Sequence, residues 1–264
     1  MTSSFATLEI DYPEPGIMLV SLNRPAVRNA IDSRMMQDLW DLWVQLYLGS
    51  SEIRCVILNG KGNKAFSAGA DLKERNTIDL ETWQKQHAVL EQAIGAMLEC
   101  PIPIIAAVNG AAFGGGLELL LACDFAYASE TATFAFPETK IGIIPGAMGT
   151  QQLPRACGLR RAKELCFTGD VISADQACQW GIVNKVCAPS SLMDEVLAVA
   201  SRLAQNAPLA IRQAKKALDA SASMDLRSGY RYELEAYNRL IPTEDRKEGI
   251  GAFNEKRAPN FKGK

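Results

Sequence analysis

Three stretches of this sequence carry residues that could do chemistry. They are "FSAGAD" at 66–71, "GGGLE" at 114–118 and "FAFPETKIGIIPGAMGTQ" at 134–151. Glycines at a helix start leave backbone N–H groups open to a ligand, and those N–H groups have no partner inside the helix. They suit a phosphate or the oxygen of an enolate-like intermediate. Glu118 falls in the first helical turn after the glycines, amid "LELLLAC", where a wholly solvent-facing position is disfavoured. Glu138 follows Pro137. Two carboxylates can share a water, one taking its proton and the other giving a proton to carbon, if their surroundings push their pKa values apart. Each feature alone has a plainer explanation. The glycines fit close helix packing or a flexible turn, Glu118 fits an ordinary helix-start acid, and Glu138 fits a turn residue. Together, beside constrained backbone, they point to a polar reaction site.

The elements that would position these residues alternate in type. "FATLEID" and "IMLVSLN" read as two strands around the turn "YPEPG". Met36, Leu39, Trp40, Trp43, Val44, Leu46 and Tyr47 give the next segment a helical period, with Asp32 or Ser33 as its cap. "IRCVILNG", "IPIIAAVNG" and "FAYAS" read as buried strands, "GGLELLLACD" as a helix and "ATFAFPET" as extended. "RACGLRRAKELCFTG" and "SADQACQWG" read as helices, and "IVNKVC" as a strand. Strands alternating with helices imply an α/β fold with a largely parallel sheet. From about residue 190 the pattern holds three successive helices and no strand alternation, and Asn206 before Ala207-Pro208 looks like a helix start. The expected organisation is a core over 1–190 and a helical region over 191–264, packed on the core or on a neighbouring subunit.

Bulk properties narrow the function. The chain has 264 residues, 48% of them hydrophobic, enough for a large core. Its 28 basic and 30 acidic side chains nearly balance, so nothing supports a broad nucleic-acid footprint. Seven cysteines form no CxxC pair, and the chain has a single histidine, His87. That excludes a disulfide scaffold or a histidine-rich metal site from the expectation and favours a reducing, cytoplasmic setting. The opening "MTSSFATLEIDYPEPG" has no signal-like apolar core, and no apolar run approaches the roughly 20 residues that span a bilayer. No GxGxxG sits at the first strand–helix junction, which disfavours a dinucleotide fold.

In sequence the chain resembles the crotonase superfamily, and within it the enoyl-CoA hydratases. "LNRPAVRNAID", "AFSAGADLKE", "AAVNGAAFGGGLELLLACDFAYASETATFAFPETKIGIIPGAMGTQQLPRACG" and "EDRKEGIGAFNEKRAPNFKGK" carry the resemblance, in the family order and across nearly the whole chain. It implies a crotonase-like spiral of repeated ββα units with a C-terminal helical region, assembly as a trimer or hexamer, and a coenzyme A thioester as substrate with no redox or metal cofactor. It implies that the backbone amides of Ala70 and Gly115 grip the thioester oxygen. Glu118 and Glu138 are then the catalytic acids, and Gly146 helps hold the water. Retention of both acids favours hydration over isomerisation. Val27, Arg28, Ala68 and Lys73 match positions near CoA. Tyr237, Phe253 and Lys256 match positions that approach CoA in part from an adjacent subunit. Taken without the resemblance, Arg28 and Lys73 are solvated charges, Lys256 is a helix-end cation and Phe253 is helix packing.

Met148 and Gln152 stand where many relatives have glycine and arginine, which leaves acyl preference open. "PETKIGIIPG" and "IPTEDRKEGIGAFNEKR" also resemble the branch containing methylglutaconyl-CoA hydratase, although no single residue specifies that substrate. A member of that branch binds RNA through a lysine-rich early helix. The comparable "SRMMQDLWDLWVQLYLGS" holds one arginine and two aspartates, so RNA is not expected as a partner. Other readings kept open are an enoyl-CoA isomerase and a noncatalytic acyl-CoA-binding protein.

Overall fold

A computed structural model describes residues 5–49 and 52–264. Strands β1 (Leu8–Glu14) and β2 (Ile17–Leu22) pair antiparallel, reversing at Pro15-Gly16. β1 runs on through the "YPE" expected to be turn. It lies at the edge of its sheet, where Pro13 owes no inward hydrogen bond. Helix α1 (Ser33–Gly49) then crosses over to β3 (Cys55–Gly60), which is parallel to β2. Asp32 is its cap, accepting from the Met35 N–H at 2.8 Å, whereas Ser33 bonds to Glu74.

The chain then repeats one motif. β3 is followed by β4 (Ala65–Ser67) and helices α2 (Leu72–Arg75) and α3 (Leu80–Leu98). Next come β5 (Ile104–Val108), β6 (Ala111–Phe113) and α4 (Gly115–Leu121). The third round has β7 (Phe125–Ser129), β8 (Thr133–Ala135), a 3₁₀ turn over Pro137–Ile141, α5 (Gly149–Cys157) and α6 (Leu159–Thr168). β9 (Ile172–Ser173), α7 (Ala174–Trp180) and β10 (Lys185–Cys187) close it. One strand of each round enters a six-stranded sheet of order β1-β2-β3-β5-β7-β10, and the other a four-stranded sheet of order β4-β6-β8-β9. All pairings are parallel except β1 with β2 and β8 with β9. This is the expected spiral of ββα units.

Both faces of the large sheet are covered, which explains its unbroken apolar runs. Val56 and Leu58 of β3, with Ile104 and Ala106 of β5, face the main core beneath α1 and α3. Cys55, Ile57, Ile105 and Ala107 point the other way, onto Leu192, Val196 and Ala200 of α8 (Leu192–Gln205). Helices α9 (Pro208–Ser221), α10 (Leu226–Asn238) and α11 (Glu244–Glu255) follow. α9 buries no side chain and α10 only Ala236.

The structure corrects several local expectations. Glu138 lies on a 3₁₀ turn, since Pro137 opens it and Gly142 closes it in the left-handed region. Gly158 splits the expected "RACGLRRAKELC" helix into α5 and α6. The strand in "IVNKVC" shrinks to three residues. Asn206 ends α8, and α9 begins at Pro208 with no side-chain cap. A fourth late helix, α11, joins the three expected. Its Asp245 accepts from the Lys262 and Gly263 N–H groups at 2.7 and 2.8 Å and fastens the C-terminal strand of chain.

α4 lies so close to β4 that a Cβ on Gly116 would sit 2.3 Å from the Ser67 carbonyl oxygen. Gly116→Ala therefore lowers stability by about 1–3 kcal/mol, as overpacking does. Gly251→Ala, a helical site with nothing within 4 Å, leaves it unchanged or raises it. Thermal melts of the two variants check the contrast.

Candidate active site

The three consecutive glycines have three separate surroundings. Gly114 adopts φ 52 and ψ −123, a backbone that side chains disfavour, and a Cβ there would come within 2.7 Å of Glu138 Oε1. Gly116 meets β4, as described. Gly115 has room for a methyl group, and its neighbour is the Ala70 nitrogen. Neither the Ala70 N–H nor the Gly115 N–H donates to an acceptor among the described residues. Gly69, at φ 83, keeps them open, because a Cβ there would crowd the Gly115 nitrogen at 3.1 Å.

The "LNRPAVRNAID" segment holds the Ala70 loop in place. Ile31 forms a parallel bridge with Ala70: its N–H donates to the Gly69 carbonyl at 2.8 Å and its carbonyl accepts from Asp71 at 2.9 Å. Ser67 donates to the Asn29 carbonyl at 2.8 Å, and the Ala68 N–H to the Arg28 carbonyl at 2.9 Å. The Arg24 guanidinium ties both ends together through Asp32 at 3.0 Å and Asp71 at 3.1 Å.

Glu118 and Glu138 are both buried, yet differently held. Glu118 Oε1 accepts from the Ala147 N–H at 2.7 Å and the Gly149 N–H at 2.8 Å. Gly149 has to be glycine for this approach, since a Cβ would lie 2.8 Å from that oxygen. Burial raises the Glu118 pKa, while the two N–H donors and the Arg75 charge oppose the rise. Glu138 has a buried Oε2 with no hydrogen-bond partner among the described residues. Burial first, and the neighbouring Glu118 charge second, push its pKa up to about 7, against its own backbone N–H and Arg75. Donors favour an ionised carboxylate and their lack favours a neutral one. The resting proton of the pair is therefore better held by Glu138.

A cavity of about 580 Å³ collects Ala68, Ala70, Gly115, Glu118, Glu138 and Gly146 on its wall. Val27, Arg28 and Lys73 are not on this wall: Val27 and Arg28 lie on the 3₁₀ turn whose Arg28 carbonyl accepts from the Ala68 N–H, and Lys73 is exposed on α2. Tyr237, Phe253 and Lys256 are not on this wall. Tyr237 borders a separate hollow with Ile241 and Phe261, Phe253 is 83% exposed, and Lys256 ends α11 in the left-handed region. Met148 and Gln152 face a third cavity, of about 930 Å³, so neither narrows the one with the acids. Arg75, Trp83 and His87 also line the acid-bearing cavity, unanticipated from sequence because no motif marks them. Among the described residues no cluster of His, Cys, Asp or Glu is arranged to hold a metal, and no helix is long and apolar enough to cross a membrane.

The raised Glu138 pKa has a sign that stability reports. The folded state holds this proton to about pH 7 and the unfolded chain only to about its ordinary 4.5. The contribution is fully present below pH 4.5 and is lost as pH rises through 7. Glu138→Gln accordingly flattens stability against pH between these limits, as urea titrations at a series of pH values check.

Comparison with known proteins agrees with this geometry. The enoyl-CoA hydratase/isomerase family profile matches residues 13–264. A short-chain-enoyl-CoA hydratase of Clostridium acetobutylicum is 40% identical over 92% of this chain and 93% of its own. An enoyl-CoA isomerase/hydratase of Mycosarcoma maydis is 40% identical over 99% of both chains. The crystal structure of an enoyl-CoA hydratase from Bacillus anthracis superposes with a TM-score of 0.95 at 41% identity, covering 98% of this chain and 100% of that one. The chain belongs to the enoyl-CoA hydratase/isomerase family of the crotonase superfamily.

Proposed function

We propose that the chain hydrates a trans-2-enoyl-CoA to a 3-hydroxyacyl-CoA. One observation carries this reading: two acids held unequally face the same cavity as two unused, adjacent N–H groups. The thioester oxygen accepts from the Ala70 and Gly115 N–H groups. Those donors stabilise the enolate charge that develops when C3 is attacked. Glu118, ionised between its two N–H donors, takes a proton from water as the oxygen bonds to C3. Glu138, neutral at rest, gives its proton to C2. Glu118 then holds the proton and Glu138 the charge, so a proton must return to Glu138 before the next turnover. Dehydration uses the same groups in reverse.

A double-bond isomerase would need one group to carry a proton between carbons and would leave the second acid without a task. A protein that only bound acyl-CoA would need neither. The fit to hydration is therefore better. A methylglutaconyl thioester falls within the same class of substrate. Val27, Arg28, Ala68 and Lys73 are the proposed CoA contacts; Ala68 lines the cavity and its N–H is bonded to the Arg28 carbonyl.

Self-association as a trimer or a pair of trimers is part of the proposal. α9 and α10 bury almost nothing, and Leu226 and Phe253 are 90% and 83% exposed. A neighbouring subunit would cover these faces and bring Tyr237, Phe253 and Lys256 toward its partner's CoA. The division into a core over 1–190 and a trimerising region over 191–264 follows that reading, with α8 packed on the core sheet. The seven free thiols suit the cytoplasmic setting proposed.

Crotonyl-CoA loses its conjugated enoyl absorbance in the presence of the purified protein. Glu118→Gln and Glu138→Gln each lower the rate by roughly 10²–10⁴-fold. Near-normal turnover by either variant removes that residue from the mechanism, and formation of a shifted double bond in place of a hydroxyl replaces hydration with isomerisation. Solution mass corresponds to three or six chains; a stable monomer refutes the shared-site arrangement.

A further inference from the structure

The loop that opens α5 holds a backbone strain at Met148, which lies in the left-handed region at φ 74 and ψ 3. Side chains disfavour that conformation, and an apolar one gains no local hydrogen bond in exchange. Among the described residues the other non-glycine residues with positive φ are Arg28, Asn29 and Lys256. Each stands where a helical turn ends: Arg28 and Asn29 after the 3₁₀ turn over Pro25–Val27, and Lys256 after α11. A left-handed residue commonly closes a helix in that way. Met148 stands at the other end, before α5, where a cap residue is ordinarily extended.

The side chain gives no reason for this choice. It is 44% exposed, makes no capping hydrogen bond and faces the cavity of about 930 Å³, away from the acids. The backbone does give one. Met148 separates the two N–H groups that Glu118 Oε1 accepts, from Ala147 at 2.7 Å and Gly149 at 2.8 Å. Successive residues of opposite hand fold the chain into a concavity whose N–H groups converge on one anion. Gly149 is also the first residue of α5, so the carboxylate sits at a helix start, where negative charge is favoured. Packing leaves the loop little room to relax, since a Cβ on Gly149 would come within 2.7 Å of Pro145 and 2.9 Å of Phe136. Glu138, Arg75 of α2 and His87 of α3 share the cavity wall with Glu118, and the Glu118 charge reaches Cys166 of α6. Among the described residues no charged side chain is hydrogen-bonded to Glu118, so its direct hold is the loop.

We propose that Met148 is a positioning residue for Glu118: its left-handed backbone, and not its side chain, aims the Ala147 and Gly149 N–H groups at one carboxylate oxygen and keeps that acid directed at the attacking water. Loss of the left-handed turn swings one N–H away. A buried carboxylate with a single donor then holds its proton more tightly. Amino acids at 148 are thus ranked by their tolerance of the left-handed region: glycine and asparagine first, methionine and leucine next, β-branched valine last. The service of Glu118 as base rests on the hydratase reading, whereas the hold on its carboxylate does not.

Crotonyl-CoA hydration and the titration of Glu118 are followed in a series of variants of the full chain. Met148→Val lowers kcat roughly tenfold or more. It leaves KM little changed, because the Ala70 and Gly115 donors stay in place. A base must be ionised to act, so its raised pKa moves the acid limb of kcat/KM to higher pH, by about one unit. Met148→Asn restores most of what Met148→Val loses, although it gives up the apolar side chain. NMR of substrate-free protein with isotope-labelled glutamate carboxyls shows the same shift in the signal that Glu118→Gln deletes. A series that follows apolar size instead, with Met148→Leu best and Met148→Asn worst, overturns the proposal and makes 148 a packing position. So does a Glu118 titration that Met148→Val leaves in place. Should Met148→Val not fold, Met148→Asn decides: relief of the left-handed strain makes it melt above the unmodified protein, and a lower melt overturns the proposal. Absence of crotonyl-CoA turnover in the unmodified protein sinks the hydratase reading alone, because the carboxylate titration still tests Met148.

Discussion

The site depends on a backbone-to-backbone contact. α4 approaches β4 so closely that no side chain fits between Gly116 and the Ser67 carbonyl. That approach sets the Gly115 nitrogen beside Ala70 and puts Glu118 one turn further along the same helix. The contact also explains the use of two sheets. The small sheet brings β4 and β6 side by side in parallel, so the loops leaving them toward α2 and α4 emerge next to one another. The large sheet, packed on both faces, supplies the rigidity against which those loops are held.

The acids acquire different characters from the same burial. Both lose water, which raises both pKa values. Only Glu118 recovers two backbone donors in exchange, from a loop whose close approach to the carboxylate is made possible by the missing Cβ of Gly149. Asymmetry is thus built by the loop over 145–149 and not by the acids themselves. Pro137 and Gly142 bound a short 3₁₀ turn that presents Glu138 to the same cavity. Gly114 leaves room for that carboxylate.

Much of this was legible in the sequence, and the part that was not has a physical reason. Continuous apolar runs at "IRCVILNG" and "IPIIAAVNG" announced strands covered on both faces, and that is how β3 and β5 pack. "GGG" before "LELLL" announced an open helix start. The edge position of β1, however, depends on which strands pair, so "YPE" looked like a turn. Splitting at Gly158 depends on a φ of 81 that glycine permits without requiring. The cavity wall was least legible. Arg75, Trp83 and His87 meet the acids through tertiary folding of α2 and α3, and a charged or aromatic residue on an isolated helix has no local sign of what it will face. Tyr237, Phe253 and Lys256 were named by resemblance, and the single chain leaves them away from the acids.

The Ala70 and Gly115 N–H groups belong to the main chain, which every amino acid except proline supplies. No particular side chain encodes them, and truncating side chains to alanine cannot delete them. Natural selection can hold such groups only indirectly, by policing what surrounds them: the missing Cβ at Gly69, the bridge from Ile31, the bare contact at Gly116. A map of this site drawn from side-chain scanning would therefore mark spacing residues as important and pass over the atoms they exist to expose.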